Sequence, residues 1–220
     1  MSKGARGYEG ERARMVREQL AARGIVDHRV LAAMATVARH LFVPAAQQPF
    51  AYEDRPLAIG AEQTISQPYM VALMTEVLGL AGGERVLEVG TGSGYQAAVL
   101  AELGVQVYTI ERLAELGIPA ERRLSEFGYW DRVHVRCGDG ENGWPEAAPF
   151  DAIVVTAAAR RIPRALLQQL GVGGRLVLPL GEAEVQGLAK IQRGGDGWQE
   201  EYFGECRFVK LVGADGWDDG

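Results

Sequence analysis

The sequence predicts an α/β fold: one doubly wound, Rossmann-like, mostly parallel sheet preceded by a layer of helices and loops. Three observations predict it. Residues 86–95 read Val-Leu-Glu-Val-Gly-Thr-Gly-Ser-Gly-Tyr. That is a buried strand, a turn with glycine at every second position, and the start of a helix. From Glu84 onward, short β-branched apolar runs alternate with helical segments, as strands covered on both faces do. Near the C-terminus, segments 187–193 and 200–210 flank a glycine-rich turn and form an antiparallel strand pair.

The elements follow in order. Residues 1–12 are glycine-rich and charged, and are expected to be disordered. From Ala13 to Ala22, Met15, Val16 and Leu20 recur at helical spacing, and Gly24 ends that helix. Asp27 can cap the next helix, whose apolar face includes Val30, Leu31 and Met34. Phe42–Gly60 holds Pro44, Pro49, Phe50, Tyr52 and Pro56 and reads as a long structured loop, a length that usually carries function. A helix follows over Tyr69–Leu80, closed by Gly82 and Gly83. The sheet strands are expected at Arg85–Val89, Val105–Ile110, Arg132–Arg136, Ala152–Thr156 and Arg175–Leu178. The helices between them are expected at Tyr95–Leu103, Leu113–Phe127 and Pro163–Leu170. Pro119 lies inside the second of these and should kink it or make it start late. One domain then covers residues 13–212, and residues 213–220 form a flexible tail.

Bulk properties narrow the partners. A net charge of −6 argues against a nucleic-acid partner, which usually asks for a basic face. No apolar run reaches transmembrane length, so no membrane partner is expected. Cys137 and Cys206 offer neither metal-ligand spacing nor a disulfide framework, so no metal is expected and a cytoplasmic setting is the simplest. The charged N-terminus lacks the apolar core of a signal peptide.

Chemistry concentrates in two segments. In the first, Gly90, Gly92 and Gly94 let the backbone come close to a ligand, and Glu111 ends the next strand, where an acid can accept hydrogen bonds from a ribose. A dinucleotide fingerprint needs a third glycine where Tyr95 stands. The G-x-G-x-G spacing instead resembles the cofactor loop of S-adenosylmethionine methyltransferases. The alternative is a tight turn that holds no ligand.

The second segment is Pro56-Leu57-Ala58-Ile59-Gly60, followed by Gln63-Thr64-Ile65-Ser66-Gln67-Pro68-Tyr69-Met70. It resembles the hallmark of the protein-L-isoaspartate O-methyltransferase family. The likeness continues through the glycine loop, Gly138-Asp139-Gly140, Phe150–Ala158, Gly173–Pro179 and Arg207-Phe208-Val209, nearly the whole chain. It implies a class I methyltransferase fold. It also implies methyl transfer from S-adenosyl-L-methionine to the free α-carboxylate of an isoaspartyl residue in a damaged protein or peptide. The ester then closes to a succinimide, whose hydrolysis returns some normal aspartate.

The resemblance also implies roles. Ser66 would orient the carboxylate; read from its neighbours alone, it is an N-cap for the helix at Pro68. Gln63, Ile65 and Ser66, with Gly90, Thr91, Gly92, Ser93 and Gly94, would hold the cofactor, and Glu111 its ribose. Asp139 and Gly140 would meet the adenine edge, unless Asp139 is a plain turn residue. Glu88 could contact the cofactor or simply end a strand. Ile59, Gly60, Thr156, Ala157, Ala158, Arg207, Phe208 and Val209 would line the substrate site; alternatively Arg207 is a surface cation. By the same resemblance the protein works as a monomer. Lys210, where a proline is common, Pro119 and the longer spacing to Trp144 depart from the family pattern. Two other functions stay open: a methyltransferase for another carboxylate, a small molecule or a nucleic-acid base, and a non-catalytic binding module. Thr156-Ala157-Ala158-Ala159 stands where base-amine methylases carry an Asn/Asp-Pro-Pro-aromatic string, which speaks against base chemistry.

Overall fold

A computed structural model describes residues 7–213 and Trp217. Its N-terminal layer starts earlier than expected. Helix α1 begins at Glu9–Arg14 and runs on through a π-helical stretch, Met15–Leu20, and a 3-10 turn, Ala21–Arg23. So residues 9–12 are helical rather than disordered, while residues 1–6 lie outside the described residues. Met15 and Leu20 are fully buried, and Gly24 ends the helix in the left-handed region, at φ +97°. In α2 (His28–Thr36), Asp27 caps as expected, accepting from the Arg29 N–H at 2.8 Å.

The long loop is partly regular. It holds 3-10 turns at Arg39–Phe42 and Ala45–Phe50, then a hairpin of β1 (Leu57–Gly60) and β2 (Gln63–Ile65). Its two-residue turn puts Ala61 and Glu62 at φ +49° and +57°. Two-residue hairpins that need positive φ twice are normally signalled by Asn-Gly, and Ala-Glu gives no such signal. Helix α3 (Pro68–Leu78) ends on Gly79, at φ +60°, three residues before the expected stop.

The main sheet has strands β3 (Arg85–Val89), β4 (Gln106–Glu111), β5 (Val133–Cys137), β6 (Phe150–Val155), β7 (Leu170–Gly181), β8 (Gln186–Arg193) and β9 (Trp198–Cys206). Their order is β5-β4-β3-β6-β7-β8-β9, parallel through β7 and antiparallel beyond. Alternate residues enter opposite cores. Val86, Ala152, Val154 and Val177 pack toward the N-terminal layer; Leu87, Ile153, Val155 and Leu176 pack on the other side. That period of two, apolar on both faces, is why the strands read as continuous apolar runs.

Helix α4 (Tyr95–Glu102) is buried all round from Tyr95 to Ala101, as a helix between two layers must be. Helix α5 (Ala114–Glu126) is amphipathic, burying Leu116, Gly117, Ala120 and Leu124. It neither starts late nor breaks at Pro119. Pro119 and Glu115 both lie on the exposed face, so the carbonyl that the proline leaves without a donor is open to water. A short α6 (Arg164–Gln169) leads into β7.

The last strand ends at Cys206, not at residue 210. From there the chain crosses the carboxyl end of β6: the Ala158 N–H donates to Val209 O and the Leu211 N–H to Ala158 O, both at 2.7 Å. Trp217 turns back to donate to Leu211 O at 2.9 Å, so the expected free tail is anchored there; residues 214–216 and 218–220 lie outside the described residues.

Candidate active site

The strand order reverses between β3 and β6, which themselves run parallel. A crevice forms where two neighbouring strands send their connections opposite ways, at the strands' carboxyl ends. The register pairs Val89 with Val155, so the glycine loop after β3 lies beside Thr156 after β6. The Thr156 hydroxyl donates to Gly90 O at 2.8 Å.

Three clefts meet here. The first, about 700 Å³, lies between Gly90, Gly92, Glu111 and Gly140 on one side and Gln63 and residues 209–212 on the other. The second, about 1260 Å³, runs between Ser66–Met70 and Glu205–Val209, with Arg23 at its edge. The third is about 400 Å³; Ile65, Ser66, Thr91, Ser93 and Tyr95 help to line it. Thr64 and Thr156 line all three.

Glu111 is almost fully buried. One oxygen accepts from the Gly92 N–H at 2.8 Å, the other from the Leu113 N–H at 3.0 Å. A carboxylate oxygen can accept more than one hydrogen bond, so Glu111 keeps acceptor capacity toward the first cleft.

Gly90 and Gly92 line the first cleft, as their spacing suggests, and each glycine also has a packing reason. A Cβ on Gly90 would collide with the Thr156 hydroxyl. One on Gly92 would sit 3.4 Å from Ile59 of the hairpin. Gly94 lines no cleft; a Cβ there would lie 3.1 Å from Leu124, so this glycine lets α5 approach the loop.

Several other expected residues also stand away from the clefts. Asp139 caps the 3-10 turn Gly140–Asn142, accepting from the Glu141 N–H at 3.0 Å and the Asn142 amide at 2.9 Å, while Gly140 lines the first cleft. Gly60 is exposed at the hairpin turn, and Ala158 is held in backbone pairing. Ala157 lines the first cleft, Phe208 the second and Val209 both. Arg207 lines the second cleft, but its Nε donates to Glu184 O at 2.9 Å.

Ser66 is not the cap of α3. The N-cap is Gln67, without a side-chain bond; Asp54 supplies the acceptor instead, taking the Tyr69 N–H at 3.0 Å while ion-paired to Arg23. Pro68 has no N–H to satisfy, which removes one donor that a serine cap could have met. Among the described residues the Ser66 hydroxyl has no protein partner, and Ser66 lines both the second and third clefts.

Beneath the glycine loop, Glu88 is fully buried. Its Oε2 accepts from the Thr109 hydroxyl at 2.6 Å, and that hydroxyl is 2.6 Å from the Thr91 hydroxyl. Burial, with the nearby Glu111 charge, pushes the Glu88 carboxyl up to about 8 against the pull of Thr109.

Sequence reading missed Thr64, the residues 210–212 that wall the first cleft, and Arg39 behind Ser66. Arg39 left a trace as a cation in an apolar stretch, and Lys210 as a departure from the family pattern.

A family model described as protein-L-isoaspartate(D-aspartate) O-methyltransferase matches residues 11–216. A protein-L-isoaspartate O-methyltransferase of Syntrophus aciditrophicus is 53% identical over 213 residues, covering 96% of this chain and 97% of that protein. One from Gloeobacter violaceus is 56% identical over 199 residues, covering 90% and 97%. A solved protein-L-isoaspartate O-methyltransferase superposes with a TM-score of 0.83 at 30% identity, over 93% of this chain and 66% of that one. A second, a Plasmodium falciparum protein described as a putative member in complex with S-adenosyl-L-homocysteine, gives 0.78 at 27% identity, over 91% and 98%.

Proposed function

The chain belongs to the protein-L-isoaspartate(D-aspartate) O-methyltransferase family, and we propose that its clefts divide that family's reaction into a donor side and an acceptor side. The protein methylates L-isoaspartyl residues of damaged proteins with S-adenosyl-L-methionine. The observation that carries the division is the meeting of the clefts at Thr64 and Thr156, with the glycine loop on one side and Ser66 on the other.

The first cleft fits the donor. An adenosyl sulfonium brings a ribose diol that donates hydrogen bonds, and Glu111 offers a carboxylate to accept them. Gly90–Ser93, Gln63 and Ile65 would enclose the amino-acid portion, and Gly140, in the turn that Asp139 caps, would lie toward the adenine. When bound, the cofactor supplies a methyl group on a positively charged sulfur.

The second cleft takes the peptide, between Tyr69–Met70 and Arg207–Val209, and Ile59–Gly60 of the hairpin close over the glycine loop. The acceptor carboxylate is already ionised at neutral pH, so the site needs no general base. It needs to strip water from the carboxylate and align one oxygen with the methyl carbon. The free hydroxyl of Ser66 donates to the other oxygen and fixes that alignment. A new O–C bond forms as the C–S bond breaks, its electron pair stays on sulfur, and no proton moves. The ester then closes to the succinimide without help from the protein.

We propose further that the protein acts as a monomer in the cytoplasm, on neither nucleic acid nor membrane. Its two free cysteines and acidic charge support that setting.

The test pairs one peptide in aspartyl and isoaspartyl forms with labelled cofactor. Base-labile label on the isoaspartyl form alone is expected. Ser66→Ala should lower turnover while leaving S-adenosyl-L-homocysteine affinity within about twofold, since it removes an orienting bond rather than a cofactor contact. An unchanged turnover number would remove Ser66 from the mechanism.

A further inference from the structure

Arg39 heads the largest fully buried side chains among the described residues. Its Nε donates to Ala51 O at 2.8 Å and its Nη2 to Ser66 O at 2.7 Å. Its guanidinium carbon lies 4.9 Å from the centre of the Tyr95 ring. Nη1 has no partner, and among the described residues no carboxylate pairs with it. Burial lowers its pKa to about 10, which still leaves it charged at neutral pH.

A buried cation that touches no carboxylate is costly; the more distant Asp54 charge and the Tyr95 ring offset only part of that cost, and two backbone carbonyls alone do not demand a cation. The place of this one is informative. Tyr95, which takes its face, and Ser66, which takes its Nη2, both line the third cleft. Ala51 belongs to the segment leading into the hairpin and Ser66 follows the hairpin, so one guanidinium ties both ends of the acceptor-side loop.

We propose that Arg39 is a positioning residue for the acceptor carboxylate: it holds the Ser66 peptide from behind, and the substrate carboxylate adds a negative charge on the side of Ser66 where the protein places none in contact with it. The inference rests on the role given to Ser66 above. Its two parts separate kinetically. Holding Ser66 sets the line of attack and acts on kcat. The positive charge favours the bound carboxylate more than the transition state, where that carboxylate is losing its charge, so it acts on KM.

The experiment titrates an isoaspartyl peptide at saturating cofactor with the parent, Ser66→Ala, Arg39→Lys and Arg39→Met. Rates are expressed per S-adenosyl-L-homocysteine site counted by calorimetry. Arg39→Lys keeps the charge but cannot fork to both carbonyls. It should lower kcat by about 10- to 100-fold with KM and homocysteine-product affinity near the parent's. Arg39→Met should also raise KM, by about tenfold; if it does not fold, Arg39→Lys decides alone. A parental kcat in Arg39→Lys would overturn the inference, as would a loss of cofactor affinity parallel to activity, the mark of a general packing role. If Ser66→Ala is slow and Arg39→Lys is not, only this inference fails. If Ser66→Ala is parental, the role of Ser66 fails and this inference with it.

Discussion

Replacing Glu88 by glutamine should remove a pH dependence built into the sheet. Glu88 is fully buried on β3, with one oxygen bonded to Thr109 and the other without a partner. Burial first, and the Glu111 charge second, raise its pKa from 4.5 to about 8. Between those values the folded protein holds a proton that the unfolded chain has released. Proton uptake is then greater in the folded state, so stability falls as pH rises through the interval and levels off above about 8. Each pH step is worth about 1.4 kcal/mol, so the full interval corresponds to about 5 kcal/mol, and the part between pH 5 and pH 8 to about 3–4 kcal/mol. Glutamine keeps an acceptor for Thr109 and does not titrate. Urea unfolding of parent and Glu88→Gln at pH 5, 6.5 and 8 isolates this group, because other titrations cancel in the difference. The variant's advantage should grow by about 3–4 kcal/mol across the series. A difference that stays constant with pH would mean that Glu88 is ionised in the folded protein and the reasoning is wrong.

Two further perturbations test the donor side. Glu111→Ala removes the acceptor for two backbone N–H groups and for the proposed ribose contact. It should weaken S-adenosyl-L-homocysteine binding by about 10- to 100-fold by calorimetry, as loss of hydrogen bonds to a charged group does; parental affinity would refute the ribose assignment. Gly94→Ala forces a side chain to φ +87° and against Leu124 at 3.1 Å. It should cost about 1–3 kcal/mol in urea unfolding, with cofactor affinity kept in the folded protein. Affinity lost without stability would make Gly94 a ligand contact after all.

The cleft proposed for the donor was legible because it follows from topology. Strand–glycine turn–helix and an acid at the end of the next strand are neighbours in sequence, and the parallel register brings them to one crevice. What the spacing hid was the physical reason for each glycine. Gly90 makes room for Thr156 and Gly94 for Leu124, residues far along the chain that no local pattern names. The same limit explains the hairpin. Its turn is Ala61-Glu62, residues that pay a conformational cost at positive φ and carry no turn signature.

The acceptor side is harder for a physical reason that Ser66 makes plain. A serine two residues before a helix-starting proline satisfies the local rule for a cap, and the rule fails because its work is done from elsewhere. Asp54 takes the Tyr69 N–H across the loop and is itself held by Arg23 of the N-terminal layer. Arg39 holds the Ser66 carbonyl from behind, and the segment after β9 closes the groove in front. Each of these contacts joins segments with no sequence relation to one another. Their combined effect is to leave one hydroxyl without a protein partner at the mouth of two clefts. A group freed of structural duty in this way is available to a substrate. The family resemblance of the Gln63–Met70 string pointed to Ser66, and the tertiary contacts show why its hydroxyl is left without a protein partner: Asp54 caps the helix and Arg39 takes the Ser66 carbonyl.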